Sequence, residues 1–318
     1  MRGELFFQKR FPPQKTVHKI LETVPNFSEG RNAETVERIA DCFRGVPGVK
    51  LLDYSSDADH NRTVVTAAGE PAALLEAVVN AAGAACARID LTKHTGQHPR
   101  IGAVDVIPFI PIQNVSEAEA LALAREAGAE IAARYGIPVF FYEKSAAAPH
   151  RANLSEIRKG QFEGLAEKMR DARWRPDCGP AAPHPTAGVT AVGVRAPLIA
   201  FNVNLETSRL DIAAEIARRV RHSSGGLPCV KAMGVELKQR GQAQVSMNLT
   251  DYTQTSIYTV FERVKAEAER LGVNVASSEL IGLMPLQALA AAAASYLKLE
   301  SFSVSRILET RLFEETPQ

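Results

Sequence analysis

The sequence predicts an α/β chain of the α+β kind, built as two ferredoxin-like subdomains. Three observations carry that reading. Helical and strand periodicities alternate along nearly all of its 318 residues, a length that suits one large core or two medium ones. Residues 199–277 read as β-α-β-β-α-β, the order of a split βαβ unit. Between the halves, residues 171–193 lose periodicity and collect Pro176, Pro180, Pro183 and Pro185 with Gly179, Gly188 and Gly193. Such a run is a linker or a binding loop. Residues 17–193 and 194–318 are therefore taken as the subdomains, after an extension at 1–16.

In the first half, strands are expected at 20–24, 49–53 and 63–67, with a helix at 32–43 between the first two. Residues 71–89 make the firmest helix. Pro71 suits its first position, and Leu74, Leu75, Val78, Val79, Ala82, Cys86 and Ile89 share one face. The apolar stretch 103–110 carries Pro108, which favours an edge or an irregular strand end. Ser116 and Glu119 form a capping box that opens a helix to about residue 134. Residues 139–142 follow as a strand. The order resembles that of the second half, with additions.

The second half starts with Ile199, Phe201, Val203 and Leu205 alternating with Ala200, Asn202 and Asn204, a half-buried strand. A helix at 208–221 places Ile212, Ile216 and Val220 on one stripe. Strands at 230–237 and 245–251 precede a helix at 256–271. A last strand at 273–277 and an alanine-rich helix at 286–298 complete the pattern.

Bulk properties exclude several function classes. Basic and acidic residues number 37 and 36, a formal charge of +1. That balance offers no general attraction to nucleic acid or an anionic membrane. Cys42, Cys86, Cys178 and Cys229 have neither zinc nor thioredoxin spacing and read as thiols of a reducing compartment. The N-terminus lacks the apolar core of a signal sequence, and residues 286–297 are too few to span a bilayer. A cytoplasmic location is expected.

Four polar clusters could carry chemistry. Lys93 to Arg100 holds His94 and His98 in a loop marked by Gly96 and Pro99. The pair has metal-ligand spacing, but it converges on one ion most reliably on a helix face, and no nearby carboxylate cluster supplies a third ligand. An imidazole pinned on a short loop also suits proton transfer near neutral pH, and a surface or capping role remains open. Residues 53–63 carry Asp53, Asp57 and Asp59 with Asn61 and Arg62. They lack the EF-hand glycine and terminal glutamate and are otherwise a solvated turn. The Gly179–Gly188 run has no phosphate-binding glycine motif. Finally, Asn202, Asn204, Ser246 and Asn248 put amides and hydroxyls on one face of two strands, either a ligand surface or a hydrated one.

Together these stretches resemble the formiminotransferase family. The matching segments are VPNFSEGRN (24–32), LLD and NRTV (51–64), IDLTKHTGQHPRIGAVDVIPFIP (89–111), GQFEGL (160–165), DCGP (177–180), IAFNVNL (199–205) and QVSMNLTD (244–251). The likeness runs from about residue 18 to about 290. It implies two ferredoxin-like α/β subdomains with mixed sheets and a folate cleft between them. It also implies transfer of a formimino group from N-formimino-L-glutamate to N5 of tetrahydrofolate, as co-substrate and without a metal. The family's catalytic histidine matches His98. Its folate-contacting segment matches Gly179, Pro180, Ala181, Ala182, Pro183, His184, Pro185, Thr186, Ala187 and Gly188, although a bulkier, aromatic-bearing loop stands there in vertebrate members. Asn61, Arg62, Arg100, Asn202, Asn204 and Asn248 are the candidates for holding substrate carboxylates and amides. A formyl donor, a non-catalytic folate-binding scaffold, a separate cyclodeaminase partner and a homodimer stay open.

Overall fold

The computed structural model of the chain describes residues 18–58, 60–96, 98–237 and 240–313. The extension expected at 1–16 lies outside them.

The first sheet begins with a strand broken in two, β1 (Ile20–Thr23) and β2 (Asn26–Phe27). Pro25 sits at the break, where the missing N–H prevents a continuous ladder. Both pieces lie between β4 (Arg62–Gly69) and β5 (Val104–Gln113), antiparallel to each. Strand β3 (Val49–Asp57) closes the sheet beside β4. With α1 (Ala33–Asp41) and α2 (Pro71–Arg88) the order is β-α-β-β-α-β. Asn32 caps α1 by accepting from Thr35 N at 3.1 Å, a contact of a kind that contributes about 1 kcal/mol. The capping box of Ser116 and Glu119 opens α3 (Glu117–Tyr135) with both hydrogen bonds made.

Beyond α3 come β6 (Val139–Glu143) and then β7 (Thr190–Val194), which inserts between β5 and β6, parallel to both. Strand β7 departs from the sequence reading, which left 171–193 without regular structure. The strand is short, fully buried and punctuated by Gly193. Its neighbours supply the order that local periodicity does not announce. Helices α1 to α3 cover one face over Leu21, Phe27, Leu74, Val78, Phe109 and Ile131. The other face is covered by α4 (Leu154–Arg158) and α5 (Gln161–Lys168), over Ile101, Phe140, Ile157 and Leu165.

The second sheet is the predicted ferredoxin-like unit: β8 (Ile199–Leu205), α6 (Leu210–Val220), β9 (Val230–Leu237), β10 (Gln242–Leu249), α7 (Ile257–Arg270) and β11 (Val275–Ile281). Its strand order is β11-β8-β10-β9. Every pairing is antiparallel, so only the first sheet is mixed. Ile199, Val203, Val245 and Leu249 pack under Ile212, Ile216, Val260 and Val264. On the opposite face Asn204 is only 1% exposed. Its amide donates to Ser277 Oγ and Glu279 Oε1 and accepts from Gln244, so the face is a bonded polar layer around Asn204, while Asn248 at its other end is exposed. Helix α8 (Leu286–Leu297) packs on α7, and α9 (Leu308–Phe313) follows. No helix of the described residues is long and apolar enough to cross a membrane.

Candidate active site

Three of the family-matching segments, 24–32, 51–64 and 89–111, meet at Asn61. It turns the chain between β3 and β4 at φ +49°, a left-handed conformation that asparagine tolerates better than most residues. Its Oδ1 accepts from Gly30 N at 2.9 Å, its Nδ2 donates to Thr95 O at 3.0 Å, and its carbonyl meets His94 Nε2 at 3.0 Å. Backbones come too close here for side chains. A Cβ on Gly30 would lie 2.3 Å from Asp57 O, and one on Gly96 would lie 2.4 Å from His60 O.

His94 is fixed by the same knot. Arg100 Nε donates to its Nδ1 at 3.2 Å. An arginine N–H can only donate, so Nε2 carries the proton and gives it to Asn61 O. Both ring nitrogens are thereby used. Arg100 in turn forks onto Glu163 at 2.8 and 2.7 Å and is buried. The structure therefore engages the Asn61 and Arg100 side chains in holding the loop. Among the described residues no group of three His, Cys, Asp or Glu side chains could hold a metal ion.

His98 stands at the loop's far end with its side chain 15% exposed. Its Nε2 lies 3.4 Å from Arg62 Nη1 and 4.0 Å from Asp105 Oδ2. Arg62 also donates to Asn26 Oδ1 at 3.3 Å. Asp105 owes its position to a β-bulge. Asn26 pairs with Val106 and Phe27 with Val104, so Asp105 is the extra residue on β5. Its buried carboxylate accepts from Ile101 N at 2.8 Å and from Arg158 Nε at 2.9 Å, with Arg158 Nη2 closer still.

The site is one negative charge short. Two guanidinium groups and a single carboxylate surround the imidazole, and Asp105 is already paired with Arg158. Burial foremost, then the charges of Arg62, Arg158, His60 and His94, push the His98 pKa down to about 2. The 4.0 Å approach to Asp105 is thus no ion pair at neutral pH, because the ring is uncharged. Burial likewise lowers Arg62, helped by Arg158 and opposed by Asp105 and Asp57. The resting site holds a neutral base beside guanidinium groups that attract anions.

The Gly179–Gly188 loop is tied to the same region. His184 and Gly188 exchange backbone hydrogen bonds at 2.9 and 3.0 Å, and His184 Nδ1 accepts from Ala187 N at 3.0 Å. Thr186 O accepts from Leu91 N and Ala187 O from Ala103 N, on either side of the His98 loop. Residues 179–182 are exposed. Asn202, Asn204 and Asn248 lie on the second sheet, and no hydrogen bond among the described residues joins them to His98. What links that sheet to the site region is α4. Its cap, Asn153, meets Lys231 Nζ of β9 at 3.5 Å, and its last residue is Arg158.

Asp105, Arg158 and Asn26 were not among the candidates drawn from sequence. Asp105 did leave a signal, as the lone carboxylate inside an apolar strand, where a charge needs a partner. Arg158 left none.

Comparison with known proteins identifies the family. The formiminotransferase domain, N-terminal subdomain, matches residues 20–195, and the formiminotransferase domain that follows it matches residues 200–312. A glutamate formimidoyltransferase of Streptococcus pyogenes serotype M1 is 49% identical, over 92% of this chain and 99% of its own. One from Thermoplasma acidophilum is 42% identical, over 92% and 97%. The mouse formimidoyltransferase-cyclodeaminase is 41% identical over 90% of this chain, which spans 54% of that longer protein. Family matches that run through both ferredoxin-like units, with relatives 49% and 42% identical over 92% of the chain, place this chain in the formiminotransferase family.

Proposed function

We propose that the chain is a glutamate formimidoyltransferase, carrying the formimino group of N-formimino-L-glutamate to N5 of tetrahydrofolate. The observation that carries the reading is the neutral imidazole of His98, held between Arg62 and Asp105 in the longest of the matching segments, 89–111. Relatives bearing that name cover 92% of the chain. In the reaction N5 attacks the formimino carbon and a C–N bond forms. The N5 proton passes to His98. The bond from that carbon to the glutamate nitrogen then breaks as the proton passes to this nitrogen, and L-glutamate leaves. One histidine acts first as base and then as acid, a contribution of about 10²- to 10⁴-fold. The imidazolium formed in between is stabilised by Asp105.

Arg62 has no described carboxylate within ion-pair distance, and its planar fork suits a carboxylate of the donor. Tetrahydrofolate is assigned to the space between the Gly179–Gly188 loop and the polar face bearing Asn202, Asn204 and Asn248. The approach of α4 to Lys231 supports that assignment, and clefts between subdomains commonly hold flat ligands. The subdomain division is kept between residues 193 and 194, at the last residue of β7, the protein is assigned to the cytoplasm, and no metal takes part. A homodimer would cover the apolar side of α8, where Leu286, Leu289 and Leu297 are 49%, 51% and 61% exposed. The longer relatives make a separate cyclodeaminase a candidate partner.

A turnover assay with tetrahydrofolate, after dialysis against a chelator, tests the reading. Glutamate release from the N-formimino donor is expected, at a rate that chelation leaves unchanged. Preference for N-formyl-glutamate would reassign the donor. Folate binding without turnover of either donor would make the protein a scaffold.

A further inference from the structure

The Nε2 lone pair of His98, which the transfer needs, is already in use. Arg62 Nη1 faces it at 3.4 Å, and an arginine N–H can only donate, so Nε2 is the acceptor and the ring proton sits on Nδ1. The same guanidinium is the group best placed to take an anion. It is half-buried on β4, and its other described hydrogen bond, to the neutral amide of Asn26, is long at 3.3 Å. We propose that a carboxylate of the donor substrate draws the Nη1 hydrogen of Arg62 to itself, frees His98 Nε2, and so makes the base available only once the donor is seated. The proposal rests on the transferase reading.

Charge leads the same way as geometry. The groups facing the ring are Arg62 from β4, Arg158 from α4, Asp105 from β5, His60 from the turn before β4, and His94 from its own loop. Asp57 lies on β3 opposite Arg62. Asp105 is already paired with Arg158 at short range, and Arg62, the first of the charges that lower the ring, has no described carboxylate within ion-pair distance. A carboxylate on Arg62 supplies the missing negative charge. An opposite charge within about 4–6 Å favours the protonated ring. Donor binding therefore does two things at one atom: it vacates the lone pair and makes it more basic. The imidazolium then has Asp105 Oδ2 at 4.0 Å as its partner. Without the donor, a folate seated alone meets a base whose lone pair is capped, so its N5 proton is not drawn off.

The test is an NMR titration of the His98 ring in the full chain, its signal assigned by its loss in His98→Gln. It is run on the free protein, with L-glutamate, and with the diamide of glutamate, which lacks both carboxylates. The free ring is expected not to titrate between pH 5.5 and 8. With L-glutamate its midpoint should rise into that window, and the diamide should leave it outside. In Arg62→Gln the free ring should already titrate higher, and glutamate should add nothing. Arg62→Lys keeps the charge but not the fork and should retain part of the glutamate effect. Glutamate leaving the His98 midpoint unmoved, or shifting it equally in Arg62→Gln, overturns the proposal. Turnover of the N-formimino donor is measured on the same preparation. Activity with an unmoved midpoint removes this inference alone, and absent turnover removes the transferase reading.

Discussion

His94 and His98 lie four residues apart and are assigned opposite work: His94 braces the loop, and His98 is the proposed acid/base. His98→Ala should lower kcat by about 100-fold or more, the lower end of acid/base catalysis, with folate binding largely kept. His94→Ala strips partners from Asn61 and Arg100, and buried groups left unpaired cost about 1–3 kcal/mol each. Its effect should appear in thermal unfolding more than in kcat. Equal losses of kcat at matched folded fraction would show that His98 has no special role. Protonation gives a second check. The folded value for His98 lies far below its ordinary 6.5, so the unfolded chain binds more protons as pH falls below 6.5. Stability is therefore fully present above that pH and is lost below it, by up to about 2 kcal/mol at pH 5 from this one group. Unfolding by denaturant at pH 7 and pH 5 should show a steeper loss in the wild type than in His98→Gln. Equal losses would mean that the ring is charged in the fold. At this scale the sequence was partly legible. His98 stood out in a loop that Gly96 and Pro99 keep from being a helix. Arg158 did not, because its partner Asp105 is 53 residues away and nothing local in 154–158 marks a buried arginine.

Elements were more legible than residues where a segment buries one clean face. Helices α2, α3, α6 and α7 follow from stripes and caps, and β8 from alternation. The losses came where burial is two-sided or an element is short. Strand β7 is covered on both faces, so it shows no alternation. Helix α4 has five residues and borrows its end from elsewhere, since Lys168 Nζ donates to the carbonyls of Glu156, Ile157 and Lys159. The Gly179–Gly188 loop read as unpatterned because its order comes from contacts with Leu91 and Ala103. Those contacts cover its second half and leave 179–182 exposed. Hydrogen exchange should therefore show 184–188 protected in the free protein, with tetrahydrofolate adding protection at 179–182 and around His98. A folate footprint that spares 179–182 would mean that the loop only braces the site.

Across the whole molecule the chain uses one plan twice. Both halves run β-α-β-β-α-β, and the first adds α3, β6 and β7 at its edge. The two units differ most at a single connection, that from the second helix to the fourth strand. In the second unit it takes four residues, 271–274. In the first it takes fifteen, 89–103, and these include His94, His98 and Arg100. The second unit shows that four residues are enough to close this architecture. The surplus length in the first is not something folding demanded, and it carries the histidine to which the proposed chemistry is assigned. A repeated scaffold thus supplies its own blank: one copy kept the plain crossing, and the other had the same crossing free for a polar loop.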